Sequence, residues 1–105
     1  MVRQPLEQGA LRALLTDAYV ERVRPPDETI VSNWPGEIFQ GDGIYVRLLN
    51  RSRLYGTYEI RGNSVCVEGK QIKRRCRHVL ENTNDTYSLV DTNGKAEVVV
   101  NVRPH

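Results

Sequence analysis

The feature that most constrains this chain is a succession of short extended runs, each closed by a turn signal. Ile44 to Leu49 alternates Ile44, Val46 and Leu48 against Tyr45 and Arg47, and Leu54 to Ile60 places Leu54, Gly56, Tyr58 and Ile60 on one face. Gly41-Asp42-Gly43, Asn50–Arg53, Gly62-Asn63, Glu68–Gln71, Asn82–Asp85 and Asp91–Gly94 punctuate the runs. In the last of these, Asn93-Gly94 tolerates the positive φ of a type I′ hairpin turn. Strands recurring about every ten residues without an intervening helix favour antiparallel hairpins over βαβ units. The expectation is a mainly β (α+β) fold. Six or seven antiparallel strands form a meander over about residues 29–102, curled into a partial barrel or packed as a sandwich.

Ahead of the strands, residues 6–19 read as one helix. Leu6, Ala10, Leu11, Leu14, Leu15 and Ala18 recur at helical spacing, and Pro5 suits a first turn. So short a helix persists only by packing, so it is expected to lie on the sheet or cover an open end. A stiff Arg24-Pro25-Pro26-Asp27-Glu28 connector separates it from the β region. At 105 residues the chain is read as one domain.

Cys66 and Cys76 stand symmetrically about Gln71. A hairpin centred there sets them directly across the ladder, at about the Cβ separation a disulfide needs. Two reduced, buried thiols are the alternative. The same register places Val65 and Val67 opposite Arg77 and Arg75, setting apolar residues against basic ones; a one-residue slip or a bulge would change that. A metal site is disfavoured, because only His78 is near as a third ligand and closed zinc sites take four. The spacing is not Cys-X-X-Cys, which argues against redox catalysis.

Residues 61–80 hold six of the 15 basic residues and one acid, Glu68. Lys73, Arg75 and Arg77 share one strand face, and Arg74 and His78 the other. The stripe Lys73, Arg75, Arg77 is a candidate anion-binding surface, or else a solvated strand. It carries no aromatic for base stacking, which disfavours nucleic acid, as does the near-balanced formal charge of +2.

Catalytic signals are sparse. There is no P-loop, Gly-X-Ser-X-Gly, Gly-X-Gly-X-X-Gly or His-Glu-X-X-His, and no motif that calls for a cofactor. Asp42, Asp85 and Asp91 fall in turn contexts. His78 is the only internal histidine. Trp34, Tyr45 and Tyr58 are candidates either for core packing or for an apolar ligand cup at a barrel mouth. No apolar run approaches the ~20 residues of a membrane-spanning helix. The segment Met1–Pro5 shows no leader pattern, so the chain is read as cytoplasmic or as lacking a removed leader.

Leu11-Arg12-Ala13-Leu14-Leu15, Trp34, Phe39 with Asp42-Gly43, Gly56-Thr57-Tyr58, Gly62-Asn63-Ser64-Val65-Cys66-Val67, Cys76, Tyr87-Ser88-Leu89 and Gly94 follow in order. Over roughly residues 6–95 this resembles a family of small exported bacterial β-domains of unknown function. That family has a short N-terminal helix, a Gly-Thr-aromatic motif and two cysteines, and its members often carry Trp where this chain has Tyr58. The resemblance implies export, a disulfide and a barrel-like antiparallel sheet, and it brings no catalytic residues. The expected function is a non-catalytic binding or structural module of the bacterial cell envelope, periplasmic or secreted, acting on an envelope component or protein partner. Alternatives are a small apolar-ligand carrier with a lipocalin-like cup, and a small hydrolase using His78 with Arg74 or Arg77.

Overall fold

The computed structural model describes residues 4–23 and 36–105. Helix α1 spans Gln8–Leu15. It is followed by β1 (Ala18–Arg22), β2 (Gly36–Phe39), β3 (Ile44–Leu48), β4 (Arg53–Arg61), β5 (Ser64–Gly69), β6 (Ile72–Glu81), β7 (Tyr87–Asp91) and β8 (Glu97–Pro104). Every neighbouring pair is antiparallel, and β1 also pairs with β8, so the meander closes into an eight-stranded barrel. Closure leaves no sheet edge with unpaired backbone groups. No helix among the described residues is long and apolar enough to cross a membrane.

The helix is shorter than the apolar spacing predicts. Thr16 leaves helical geometry, and its hydroxyl donates to the Arg12 carbonyl at 2.6 Å. Asp17 adopts a φ of 57°, which reverses the chain. Ala18 and Val20, which extend the helical stripe in sequence, instead become inward residues of β1, buried like Leu11 and Leu15. Leu14 is only partly buried. The Leu6 amide donates to the Val79 carbonyl at 2.8 Å, tying the start of the helical segment to β6. The helix packs against β1, β4 and β5, so it plugs one end of the barrel.

Inward faces follow from alternation and register. Phe39 pairs with Tyr45, Tyr45 with Gly56, Tyr58 with Val67, Ile60 with Val65, Val79 with Leu89 and Leu89 with Val98. Most of these residues belong to one hydrophobic cluster with Leu11, Leu15, Val20 and Val100. Gly56 is required by a close approach, since a Cβ there would collide with the Glu68 carbonyl oxygen. Gly69 comes as near in return: its Cβ would lie 2.8 Å from the Tyr55 carbonyl oxygen. A register shift between Val67 and Gly69 accompanies this contact, the usual partnership of bulge, glycine and tight barrel curvature.

Cys66 pairs directly with Cys76 across β5–β6, and their sulfurs are at bonding distance, 2.10 Å. The register also sets Val65 against Arg77 and Val67 against Arg75. The apparent conflict between valines and arginines resolves in three dimensions. The cysteines occupy the outer face, while Val65, Val67 and Arg77 all point inward and are buried.

Candidate functional site

The two halves of the barrel interior differ in chemistry. At the end away from α1, the inward register positions are Arg22 on β1, Glu37 on β2, Arg47 on β3, Arg75 and Arg77 on β6 and Asp91 on β7. Four arginines therefore face two carboxylates around this mouth. Their assembly follows from short antiparallel strands. Arg47 pairs with Glu37 across β2–β3, and Arg77 with Asp91 across β6–β7. Closure of the barrel brings β2 and β6 to face each other across the lumen.

At the centre, Arg77 Nη2 donates to Glu37 Oε1 at 2.8 Å, with side chains 1% and 0% exposed. The buried Tyr45 hydroxyl donates to the same carboxylate oxygen. Arg47 Nε donates to the Tyr45 oxygen at 3.2 Å, and its guanidinium lies 5.8 Å from the Tyr45 ring centroid. Nearer solvent, Arg75 Nε meets Asp91 Oδ1 at 2.7 Å. Two buried atoms of the central pair, Glu37 Oε2 and Arg77 Nε, make no hydrogen bond.

The network controls ionisation. Burial alone would lower the Arg77 guanidinium, but the Glu37 charge and hydrogen bond, with Tyr45 and Asp91 beyond, hold it above its ordinary value. Tyr45 is pushed well above the ordinary tyrosine range, first by burial and then by the Glu37 charge and hydrogen bond. Arg77 thus stays cationic and Tyr45 a neutral phenol at neutral pH.

Several expected site residues lie elsewhere. The Lys73, Arg75, Arg77 stripe does not form as a surface. Arg75 and Arg77 share the inward face, but an extra β6 residue between Ile72 and Arg75 interrupts the alternation, so Ile72 is buried and Lys73 exposed at the hairpin tip. Lys73 and Arg75 remain exposed, and Arg75 is engaged by Asp91. Tyr45 is fully buried, whereas Tyr58 lines an open surface pocket with Arg12, Thr16, Gly41, Gly43, Glu59 and Ile60. Phe39 packs against both rings, with centroids 5.3 Å and 5.1 Å apart, and the Tyr58 hydroxyl donates to the Gln40 carbonyl at 2.5 Å. Trp34 lies outside the described residues. His78 is on the outer face with Nδ1 3.0 Å from the Asn63 carbonyl oxygen. No cluster of three or more metal-binding side chains occurs among the described residues.

Sequence reasoning missed Glu37, Arg47 and Asp91 as site members. Glu37 sits in the run Gly36-Glu37-Ile38-Phe39, all four buried, where alternation is invisible. Asp91 was absorbed by the turn that follows it. One signal did exist, namely Arg77 opposed to Val65, a basic residue on an apolar face.

Compared with known proteins, the chain matches no protein-family model, no curated protein and no solved structure.

Proposed function

We propose that this protein is a non-catalytic binding module of the bacterial cell envelope that recognises an anionic group at the barrel end opposite α1. The observation that carries the reading is that, among the described residues, Arg47, Arg75 and Arg77 lie on the inward face at that end, held by Glu37, Tyr45 and Asp91. Such an excess, set in a low-dielectric wall, focuses a positive potential on the mouth. Arginine also suits carboxylate and phosphate geometry. Lys73, exposed on the same strand, adds to that field. The Cys66–Cys76 pairing suits an oxidising compartment, periplasmic or extracellular. The resemblance to small exported β-domains points the same way.

The test is a titration of the protein with inorganic phosphate and with acetate, followed by ¹H–¹⁵N spectra of the backbone and arginine side chains. Shifts confined to β3, β6 and β7 near Arg47 and Arg75 are expected. They should weaken with added salt and disappear in an Arg47→Gln, Arg75→Gln double variant. Shifts absent, or scattered over all basic side chains alike, would remove the mouth as the recognition site.

A further inference from the structure

We infer that the loops around the mouth form a docking surface for an anionic phospholipid membrane. The inference rests on the reading above that this end meets an anionic partner, and it names that partner through different side chains, those outside the lumen. In an antiparallel meander, alternate connections share an end. The β3–β4, β5–β6 and β7–β8 connections therefore lie together at the mouth, away from α1. Arg51 and Arg53 stand at the first, Lys70 and Lys73 at the second and Lys95 at the third, all exposed. None of the five is in an ion pair among the described residues. Of the acids beside them, Glu68 is held by Arg74 and Asp91 by Arg75, which leaves Glu97. The α1 end has the opposite sign. Asp17, Asp42, Glu81 and Asp85 stand there against Arg12, while Arg61 and Arg103 are held by Glu59 and Glu21. A barrel polarised in this way turns its mouth toward an anionic surface.

Charge alone suits any polyanion; the apolar side chains among the cations favour lipid. Leu48 and Leu49 are only partly buried and line a shallow open pocket with Arg51 and Arg53. Tyr55, the one exposed large hydrophobic residue among those described, is 61% exposed and follows Arg53 by two residues on the outer face of β4. It thus stands on the order of 7 Å behind Arg53. At that depth a tyrosine ring meets the headgroup level of a bilayer, while leucines beside arginines reach the acyl boundary. A nucleic acid calls for a platform of stacking aromatics, which this end lacks among the described residues. A polysaccharide offers the leucines no apolar phase to enter.

The experiment floats the unmodified protein with vesicles of equal parts phosphatidylglycerol and phosphatidylcholine, and with vesicles of phosphatidylcholine alone. Binding to the first and not the second is expected, weakening with salt. Arg51→Gln, Arg53→Gln, Lys70→Gln and Lys73→Gln should each lower the partition about fivefold. A Leu49→Ser variant with a native amide spectrum should bind vesicles severalfold more weakly and bind dextran sulfate as the parent does. Bicelles carrying a nitroxide-labelled lipid should broaden the amides of Asn50, Arg51 and Lys70 and leave those of Gly41 and Asn84, at the α1 end, sharp. Absence of flotation while phosphate still shifts Arg47 and Arg75 overturns the membrane surface and leaves the anion mouth standing. Flotation without any phosphate shift at those arginines removes the lumen as a recognition site and keeps the outer loops. Broadening centred on α1, or a Leu49→Ser variant that floats like the parent, overturns the lipid assignment.

Discussion

The two ends of the barrel reach the same degree of burial by opposite means. At one end, α1 lays Leu11 and Leu15 over Phe39, Val65 and Val79, and nothing there needs a partner beyond contact. At the other, Glu37 and Arg77 are as buried as any leucine but depend on each other. Apolar packing tolerates loss in proportion to the volume removed. A buried ion pair fails all at once, because the survivor is an uncompensated charge. The plug end is built for stability, while the polar end gives up stability for a defined arrangement of charge.

The sharpest way to break this comparison is to remove one member of the pair. Arg77→Ala should cost about 3–5 kcal/mol by chemical denaturation, as for other half-deleted buried pairs. The joint change Glu37→Leu, Arg77→Met should recover most of that loss; a double variant no more stable than the single would show that the pair is not the cause. At the plug, Leu11→Ala should cost about 2–5 kcal/mol, and Leu14→Ala less, because Leu14 is only partly covered. A thermal melt in which the two are equal would mean α1 is not seated as described.

Two smaller effects sharpen the picture. Replacing Cys66 and Cys76 together by Ala opens a ten-residue separation and should cost about 2–3 kcal/mol on the loop-entropy account. The strands should stay paired, as shown by unchanged far-ultraviolet circular dichroism. Stability should also fall with alkaline pH. Tyr45 and Tyr58 have raised pKa values in the folded barrel, each through burial first, Tyr45 then through Glu37 and Tyr58 through Asp17 and Asp42. Above pH about 10 the unfolded chain loses the Tyr45 proton while the folded protein keeps it, so Tyr45 removes up to about 1.4 kcal/mol per pH unit, and the more exposed Tyr58 adds a smaller loss of the same sign. Tyr45→Phe should flatten the slope between pH 10 and 11. Least of all, Asp91→Asn should change stability by only about 0–1 kcal/mol, because its partner Arg75 is 41% exposed.

Much of the wall was legible in the sequence. The inward face of β4 and the turn at Gly94 follow from alternation and turn chemistry, which are local, whereas the Cys66/Cys76 register stayed open because alternation set Val65 and Val67 against arginines. Closure by an eighth strand was not, because Ala18 and Tyr19 fit the end of a helix and only the left-handed turn at Asp17 assigns them to β1. The site was the least legible part. Lys73, Arg75 and Arg77 alternate in sequence, but the extra β6 residue separates Lys73 from the other two. Glu37 and Arg77 lie 40 residues apart, and no periodicity connects them.

The pairing of β1 with β8 has a consequence for how the molecule comes into being. Glu21 and Arg103 meet across a separation of 82 residues, and the His105 amide reaches back to the Asp17 carbonyl. Of the described strands, β8 is the last in chain order and the one that completes the ring. Before it arrives, β1 and β7 both present open edges, and the interior has no continuous wall. Folding must therefore be a late, concerted event limited by a long-range encounter, slow by the standards of helical chains of this length. The seam between β1 and β8 is therefore the contact on which the whole enclosed interior depends, although its two strands are the farthest apart in sequence.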